Sequence, residues 1–265
     1  MWELIEGVAR EVVGLPMDDR GFLLGDGVFE TFRIVDGKIR HADLHAASLE
    51  AACRALALVM PDRAGIEAAI ADVSSAGAEG VGKLIVSRGK GGRGLSPIID
   101  PASRVFLQVF ETPPKPDTVQ LLTVDIRRSA TSLAACHKTL SYADNLAARR
   151  ETVAHGGDMA LLLTETGFVS GCDSANIFWR ANGKVFTPSQ RCGIRNGVMR
   201  RRVMQWLKDA GQAVIECEAE AGMLNTATAV WITNALTGVT AVTRLDEQLF
   251  QTNDALLQKL SAADL

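Results

Sequence analysis

The sequence predicts an α+β fold in two domains. Apolar residues recur every second position in some segments and at a spacing of about 3.6 in others, which indicates strands and helices in one chain. The dipeptide Asp36-Gly37, between two apolar runs, is a strong signal for a hairpin. A stiff proline-rich stretch, Thr112 to Pro116, separates the two halves. We therefore predict an N-terminal α+β domain over residues 1–111, a linker over 112–120 and a C-terminal β-rich α+β domain over 121–265.

The N-terminal half alternates short strands with two helices. A glycine-punctuated loop over 21–27 leads into the first long strand, and Asp43 is suited to be the N-cap of the first long helix. The predicted elements are a strand over 28–35, its return strand from 38, helices over 43–58 and 64–73, and strands over 83–88 and 104–111.

The C-terminal half is richer in strands. A second hairpin signal, Asn182-Gly183, lies between two of them. The predicted elements are strands over 121–128, 159–163, 176–180, 185–188 and 229–233, a helix over 142–153, and a helix from 195 to about 210.

Composition and charge argue against several classes of function. Of the 265 residues, 47% are hydrophobic and 22% are charged, which is ordinary for a soluble globular protein. The net charge of -3 gives no cationic field for nucleic acid. No apolar run approaches the ~20 residues that cross a bilayer, and the first residues lack the pattern of a secretory signal. We expect a cytoplasmic protein that acts on a small molecule, without nucleic-acid or membrane partners.

Cysteine and histidine spacing predicts no metal site. The five cysteines are scattered, odd in number and show no CxxC spacing, and none of the four histidines belongs to an HExxH motif. This pattern is typical of reduced thiols in a cytosolic chain.

One lysine, Lys138, is a candidate catalytic residue. It lies in a segment that has no other lysine or arginine before Arg149, at the edge of a predicted β-rich core. A lysine that is shielded from water loses its proton readily and can form a Schiff base with an aldehyde cofactor. The alternative is an ordinary surface lysine.

Two further stretches are candidate anion sites. The loop over 89–96, with sequence GKGGRGLS, offers backbone amides and the guanidinium of Arg93 to a carboxylate, or it is a surface turn. The helix that opens with Asn196-Gly197-Val198-Met199 offers unpaired N–H groups to a phosphate, or it is an ordinary helix start.

These stretches resemble a known family. The runs DRGFLLGDGVFETFR, VSRGKGGRGLS, KTLSYADNLAARRE, SANIFW, GIRNGVMR and NALTG follow one another in the order of the class IV, fold-type IV enzymes that use pyridoxal 5'-phosphate (PLP). That family holds the branched-chain and D-amino acid aminotransferases and 4-amino-4-deoxychorismate lyase, and the glycine-rich loop is most similar to that of the lyases. The resemblance implies a two-domain D-amino acid aminotransferase-like fold, PLP as cofactor and a homodimer.

The resemblance also implies roles for individual residues. Lys138 would carry PLP and move protons, Thr31 would donate a proton, and Phe29 and Arg93 would contact the substrate. The expected cofactor-binding residues are Lys138, Ser174, Asn176, Gly197, Val198, Met199, Asn234 and Ala235.

Two positions depart from the family pattern. Gly171 stands where the family has a glutamate bonded to the pyridine nitrogen of PLP, and Ser48 stands where it has an arginine that binds the phosphate. Without the carboxylate the ring is a weaker electron sink, which we expect to impair transamination more than an elimination. Asp173, if the backbone stays extended, or Ser174 could stand in for the missing glutamate.

The resemblance supports three hypotheses about function. The first is a PLP-dependent lyase of folate biosynthesis that converts 4-amino-4-deoxychorismate to 4-aminobenzoate and pyruvate. The second is an aminotransferase for D- or branched-chain amino acids. The third, suggested by Gly171 and Ser48, is a homologue that keeps the fold without PLP chemistry.

Overall fold

The chain folds as two compact units that are not consecutive in sequence. A computed structural model describes residues 1–73, 79–92, 94–98 and 102–265 of the protein. The first unit comprises Met1–Pro113 with His137–Ser141, and the second comprises Pro114–Cys136 with Tyr142–Leu265. The sequence-based domain prediction differs here, because it placed Lys138 in the C-terminal domain.

An antiparallel sheet forms the centre of the first unit. Its strands, in the described part of the chain, are β1 (Trp2–Ile5), β2 (Val8–Glu11), β3 (Gly27–Val35), β4 (Lys38–Ile39), β5 (Gly80–Ser87) and β6 (Arg104–Phe110). They lie in the order β2-β1-β6-β5-β3-β4. The predicted hairpin joins β3 to β4, and Asp36 and Gly37 have the positive φ values, 50° and 71°, that its tight turn requires.

Helices cover one face of this sheet. The helices of the unit are α1 (Arg20–Leu24), α2 (Ala42–Ala55) and α3 (Arg63–Val73). The core joins buried residues of α2 and α3, among them Leu49 and Ile70, to alternate residues of β3 such as Phe32 and Ile34. This alternation leaves the opposite face of β3, with Phe29 and Thr31, only half-buried.

Two local predictions in this unit were wrong. The stretch 21–27 is not all loop, because α1 begins at Arg20, where the Asp19 side chain accepts from the Gly21 N–H at 2.8 Å and caps the helix. The N-cap of α2 is His41, at φ 57°, and not Asp43. Asp43 lies in the first helical turn, where its charge suits the positive end of the helix dipole.

A mixed sheet forms the centre of the second unit. Its strands among the described residues are β7 (Thr118–Arg128), β8 (Met159–Thr164), β9 (Val169–Cys172), β10 (Asn176–Ala181), β11 (Lys184–Pro188), β12 (Val214–Cys217), β13 (Ala229–Asn234), β14 (Gly238–Leu245) and β15 (Gln248–Leu249). The order is β12-β11-β10-β13-β14-β7-β8-β9, with β15 beside β14. β7 starts inside the predicted linker and pairs in parallel with both β14 and β8.

The helices of the second unit pack around this sheet. They are α4 (Leu133–Cys136), α5 (Ala143–Ala154), α6 (Val198–Asp209) and α7 (Ala255–Ala262), with 3₁₀ turns at Gln190–Cys192 and Ala221–Thr226. One core cluster is centred on Trp179, and another joins Phe178 and Trp231, whose rings stack at 5.9 Å, to α6 and α7. In the described residues no helix is long and apolar enough to cross a membrane.

Candidate active site

Lys138 is held by backbone hydrogen bonds against the start of β3. The Phe29 N–H donates to the Lys138 carbonyl at 2.8 Å, and the Leu140 N–H donates to the Gly27 carbonyl at 2.9 Å. Val28 and Thr139 form an antiparallel bridge between these two bonds. The segment His137–Ser141 therefore acts as a short extra strand of the first unit, and its register fixes where the lysine side chain begins.

The Lys138 side chain shares an aromatic neighbour with a second lysine. Its Nζ lies 4.5 Å from the centroid of the Phe29 ring, and the Nζ of Lys83 lies 5.1 Å from the same centroid. Both lysines are half-buried. An aromatic face attracts ammonium groups, and more strongly where water is excluded. The two predicted site residues Lys138 and Phe29 thus lie together.

Strand periodicity places Thr31 and Lys83 on this same face. Side chains of a strand alternate between its faces, so Phe29 and Thr31 lie on one face and Glu30 on the other. Thr31 is paired directly with Lys83 of β5. Sequence reasoning singled out Thr31 but missed Lys83. The signal that could have found it is its cross-strand register with the strand that carries Phe29 and Thr31.

The face of the sheet that carries Glu30 packs into the hydrophobic core of the first unit. Glu30 and His45 form a buried pair, 3.2 Å between Oε1 and Nδ1, and the His45 ring contacts the Phe32 ring edge-on. A small cavity lined by Glu30, Phe32 and His45 lies there, on the face of β3 that does not carry Phe29. We therefore place the candidate site at the Phe29 face.

The predicted substrate-binding arginine, Arg93, lies outside the described residues. Described parts of its loop are nevertheless anchored: the Lys90 ammonium lies 3.0 Å from the Asp18 carboxylate, and Arg20 donates to the Gly94 carbonyl at 2.9 Å. The loop ends on either side of position 93 are thus tied to residues of the first unit.

In the second unit, the start of α6 offers backbone donors. Gly197 is the N-cap and provides no capping side chain, so the N–H groups of Val198 and Met199 begin the helix without a side-chain acceptor. The first turn contains no acidic residue, and Arg195 lies just before it. A cation there is disfavoured by the helix dipole unless an anion is also present. The backbone N–H groups at this helix start, with Arg195 beside them, suit the binding of a phosphate.

Asn176 and Arg200 hold this helix start in place. The Asn176 side chain donates to the Arg195 carbonyl at 2.9 Å, and a Cβ at Gly197 would collide with the Asn176 side chain. Arg200 is buried and donates to the Glu216 carboxylate at 2.6 Å and to the Pro188 carbonyl at 3.1 Å. Asn176 thus supports the backbone that would bind an anion, and Gly197 is required by close packing.

Asn234 shapes the turn that follows β13. Its side-chain oxygen accepts from the N–H groups of Leu236 and Thr237, both at 2.9 Å. This is the arrangement by which asparagine stabilises a turn. Of the two residues predicted here, Asn234 is therefore engaged with its own loop, and Ala235 lies within that loop.

Comparison with known proteins identifies the family to which this chain belongs. A family model described as amino-transferase class IV matches residues 27–245. The chain belongs to the aminotransferase class IV family. This confirms the predicted family and the prediction that the protein is an enzyme.

Relatives of this class IV chain include both lyases and transaminases. It is 31% identical over 234 residues to an aminodeoxychorismate lyase of Vibrio harveyi, with 86% of each chain covered. The crystal structure of 4-amino-4-deoxychorismate lyase from Pseudomonas aeruginosa matches with a TM-score of 0.86 at 30% identity, covering 95% of this chain and 94% of that one. A fold-type IV transaminase from Curtobacterium pusillum matches with a TM-score of 0.85 at 27% identity, covering 96% and 89%. The predicted fold is confirmed.

Neither predicted substitute for the class IV glutamate is available in the second unit. The chain turns after β9, since the Cys172 N–H donates to the Ala175 carbonyl at 2.9 Å, so the extended backbone assumed for Asp173 is absent. Buried Asp173 instead accepts from Arg149 at 2.5 and 2.8 Å and from the Ala160 N–H at 2.9 Å. Arg149 also donates to Ser174 at 3.0 Å. Both candidates are thus committed to Arg149.

A cation lies beside Gly171 instead. A Cβ built at Gly171 would be 3.9 Å from Nη1 of Arg128, an ordinary contact distance. Burial, together with the neighbouring Arg195, lowers the pKa of Arg128 to about 10. The second unit therefore fits the phosphate of PLP through amides and arginines, but it offers a guanidinium where the family has a carboxylate.

Proposed function

We propose that this protein is a PLP-dependent lyase that converts 4-amino-4-deoxychorismate to 4-aminobenzoate and pyruvate, a step that supplies folate biosynthesis. The single observation that carries the proposal is the face of β3 where Lys138 and Lys83 share the Phe29 ring. The lyases of Vibrio harveyi and Pseudomonas aeruginosa, similar over most of the chain, support the choice of reaction.

Each of the two units carries residues that the class IV resemblance assigns to PLP. Lys138 would bind its aldehyde carbon, and the N–H groups of Val198 and Met199 would donate to its phosphate, with Arg195 supplying a positive charge that Ser48 cannot. Ser174, Asn176, Gly197, Asn234 and Ala235 would shape the surrounding backbone and loops. When bound, the cofactor would withdraw electrons from the substrate carbon that carries the amino group.

Residues of the first unit would carry out the proton transfers. The Lys138 amine would take the proton from the substrate carbon that carries the amino group. The C–O bond to the enolpyruvyl group then breaks, the ring becomes aromatic, and enolpyruvate gains a proton to become pyruvate. Thr31 lies on the Lys138 face and would donate that proton.

Binding of the substrate would use the remaining groups of this face. The substrate carries two carboxylates, and we assign Lys83 and Arg93 as their cationic partners. Phe29 would pack against the ring of the substrate. An aminotransferase is the weaker candidate, because its reaction depends more on a strong electron sink and residue 171 has no carboxylate.

We further propose a cytoplasmic homodimer. Three consecutive large apolar side chains of α1 are exposed in the single chain: Phe22 at 56%, Leu23 at 55% and Leu24 at 45%. Exposed apolar clusters of this kind mark interaction surfaces. Dimeric assembly also follows from the family resemblance.

The proposal is tested by trapping the cofactor. We expect purified protein incubated with PLP and reduced with borohydride to carry a pyridoxyl group on Lys138, located by peptide mass spectrometry. Lys138→Ala should lose the label and lower lyase turnover by roughly 1,000-fold or more, because both the attachment point and the base are removed.

Lys184→Ala is the matched control, since Lys184 is an exposed lysine of β11. It should label and turn over as the unsubstituted protein does. Full lyase activity in Lys138→Ala, or labelling at other lysines alone, would disprove the proposed function. Labelling of Lys138 with turnover of amino acids and keto acids but not of aminodeoxychorismate would favour the aminotransferase.

A further inference from the structure

Arg128 is a half-buried cation without a carboxylate partner among the described residues. It lies at the end of β7, and its Nη2 donates to the Cys172 carbonyl at 3.4 Å, a long hydrogen bond that holds the guanidinium beside β9. The same guanidinium lies next to Gly171: a Cβ built there would be 3.9 Å from Nη1 of Arg128 and 3.4 Å from the Ala175 carbonyl oxygen. A side chain at position 171 would therefore grow into contact with Arg128.

The nearby Asp173 carboxylate forms its ion pair with Arg149 and not with Arg128. Asp173 is paired in two bonds with Arg149, at 2.5 and 2.8 Å. The other charged neighbour, Arg195, has the same sign and contributes with burial to a lowered pKa of Arg128. Even partial withdrawal from water costs free energy for a cation that has no carboxylate partner, unless a ligand completes the site. This cost points to a function for the guanidinium at this place.

We propose that Arg128 is a positioning residue that donates a hydrogen bond to the ring nitrogen of PLP and keeps that nitrogen unprotonated. The inference rests on the proposed function, because it requires PLP to be bound with its ring nitrogen towards residue 171. A guanidinium can only donate, so the nitrogen must accept with its lone pair. The positive charge of Arg128 beside the ring nitrogen would also disfavour protonation of that nitrogen.

This arrangement would select among reactions. An unprotonated ring is a weaker electron sink than a protonated one, so it supports a reaction whose product gains aromatic stability better than one that must hold a carbanion for reprotonation. Gly171 and Arg128 together would thus bias the protein towards elimination and against transamination.

The first experiment measures the contact in protein without cofactor. Gly171→Glu, Arg128→Gln and the double variant are compared by thermal unfolding. Gly171→Glu should lower the unfolding midpoint in both backgrounds. The decrease should be smaller by at least about 3 °C when Arg128 is present, because the new carboxylate then has a partner. Additive effects of the two substitutions would overturn the geometry on which the inference rests.

The second experiment reads the ring nitrogen directly. The protein is loaded with PLP labelled with ¹⁵N at the ring nitrogen, and its chemical shift is recorded across a pH series. We expect the unprotonated shift in the unsubstituted protein and the protonated shift in Gly171→Glu. In Arg128→Gln the nitrogen should gain a proton as the pH is lowered. A protonated nitrogen in the unsubstituted protein at neutral pH would overturn the inference.

The outcomes separate the inference from the proposed function. If Lys138 carries the pyridoxyl label but the ring nitrogen is protonated, the function stands and the role of Arg128 is wrong. If no label forms on Lys138, the function and the role of Arg128 both fail. Arg127→Gln is the matched control, because Arg127 is an exposed neighbour that donates to the Val124 carbonyl; its ¹⁵N shift should equal that of the unsubstituted protein.

Discussion

The position of Lys83 in the candidate site is set by the register of its strand, β5, against β3. In the sequence it is a single charged residue at the start of an apolar run, and nothing nearby in the chain marks it. Pairing of β5 with β3 places it opposite Thr31 and brings its ammonium to the Phe29 ring. The register of two strands separated by two helices could not be deduced from either strand alone.

We expect Lys83→Gln to raise the KM for aminodeoxychorismate roughly tenfold to a hundredfold. The reason is the loss of one charge-assisted contact with a substrate carboxylate, which is typically worth 1.5–3 kcal/mol. Lys83→Arg should keep most of the affinity, since it retains the charge. Steady-state kinetics of both variants, with pyridoxyl labelling of Lys138 as a check on the site, would measure this. An unchanged KM in Lys83→Gln would exclude contact with the substrate.

Asp26 gives the first unit a pH-dependent contribution to stability. Its carboxylate accepts from Arg20 at 3.0 Å and from Arg88 at 3.1 and 3.2 Å. Burial tends to raise the pKa of Asp26, but the bonds from Arg88 and Arg20 outweigh it and lower the pKa below 3.8. A carboxylate with a depressed pKa stabilises the fold above its unfolded pKa and loses that contribution as the pH falls through its folded pKa.

We therefore expect Asp26→Asn to cost about 2 kcal/mol of unfolding free energy at neutral pH. The difference between the two proteins should shrink as the pH falls below 3.8, where Asp26 takes up a proton. Urea unfolding at a series of acidic pH values would measure it. A difference that does not depend on pH would mean that the ion pairs do not account for the stabilisation.

At the scale of elements, the segment His137–Ser141 depends on a glycine in β3. A Cβ at Gly27 would lie 2.6 Å from the Val86 carbonyl and 2.7 Å from Cδ1 of Leu140, both too close. The glycine therefore lets Leu140 pack onto the strand and fixes the backbone two residues after Lys138.

Gly27→Ala should move this segment away from β3. We expect slower borohydride-dependent labelling of Lys138 and a loss of about 1–3 kcal/mol of stability, because an overpacked site forces the backbone to shift. Gly14→Ala is a suitable control, since nothing lies within 4 Å of a Cβ there. Equal labelling of the two variants would show that Gly27 does not set the position of Lys138.

Elements with regular periodicity could be predicted from the sequence, and those that depend on distant contacts could not. The helix predicted over 142–153 is α5, Ala143–Ala154, and the hairpin at Asp36-Gly37 is present. The extended backbone considered for Asp173 is absent because the chain turns where Asp173 meets Arg149, 24 residues away in sequence. Likewise the cap of α1, Asp19, is held by a distant residue, since the Ser87 hydroxyl donates to its carboxylate at 2.8 Å.

At the scale of the whole molecule, we expect a dimer that uses α1. Phe22→Glu with Leu23→Glu should shift the mass in solution from twice the 28.3 kDa chain mass towards one chain, since charges in an apolar interface are not solvated. Light scattering after size exclusion would measure it. Leu249→Glu, at a side chain that is 71% exposed in the second unit, is the control. Unchanged mass in the α1 variant would exclude this interface.

The candidate site could be predicted from the sequence only where its groups lie within short motifs. Lys138 and the start of α6 are carried by contiguous stretches, so the sequence predicts both as site residues. Arg128 was missed because its proposed role depends on its proximity to Gly171, which appears only once β7 and β9 are folded.

The connectivity of the two units has a consequence for synthesis on the ribosome. The chain leaves the first unit after Pro113 and supplies its last strand only at His137–Ser141. An N-terminal unit normally folds as soon as it emerges, but this one lacks the strand beside Gly27–Phe29 until residue 141 has been translated. The start of β3 therefore presents an unpaired edge to the solvent during that interval, and such edges invite pairing with other nascent chains. A ribosome stalled before residue 137 should expose an intermediate that chaperones recognise, whereas one stalled well after residue 141 should not.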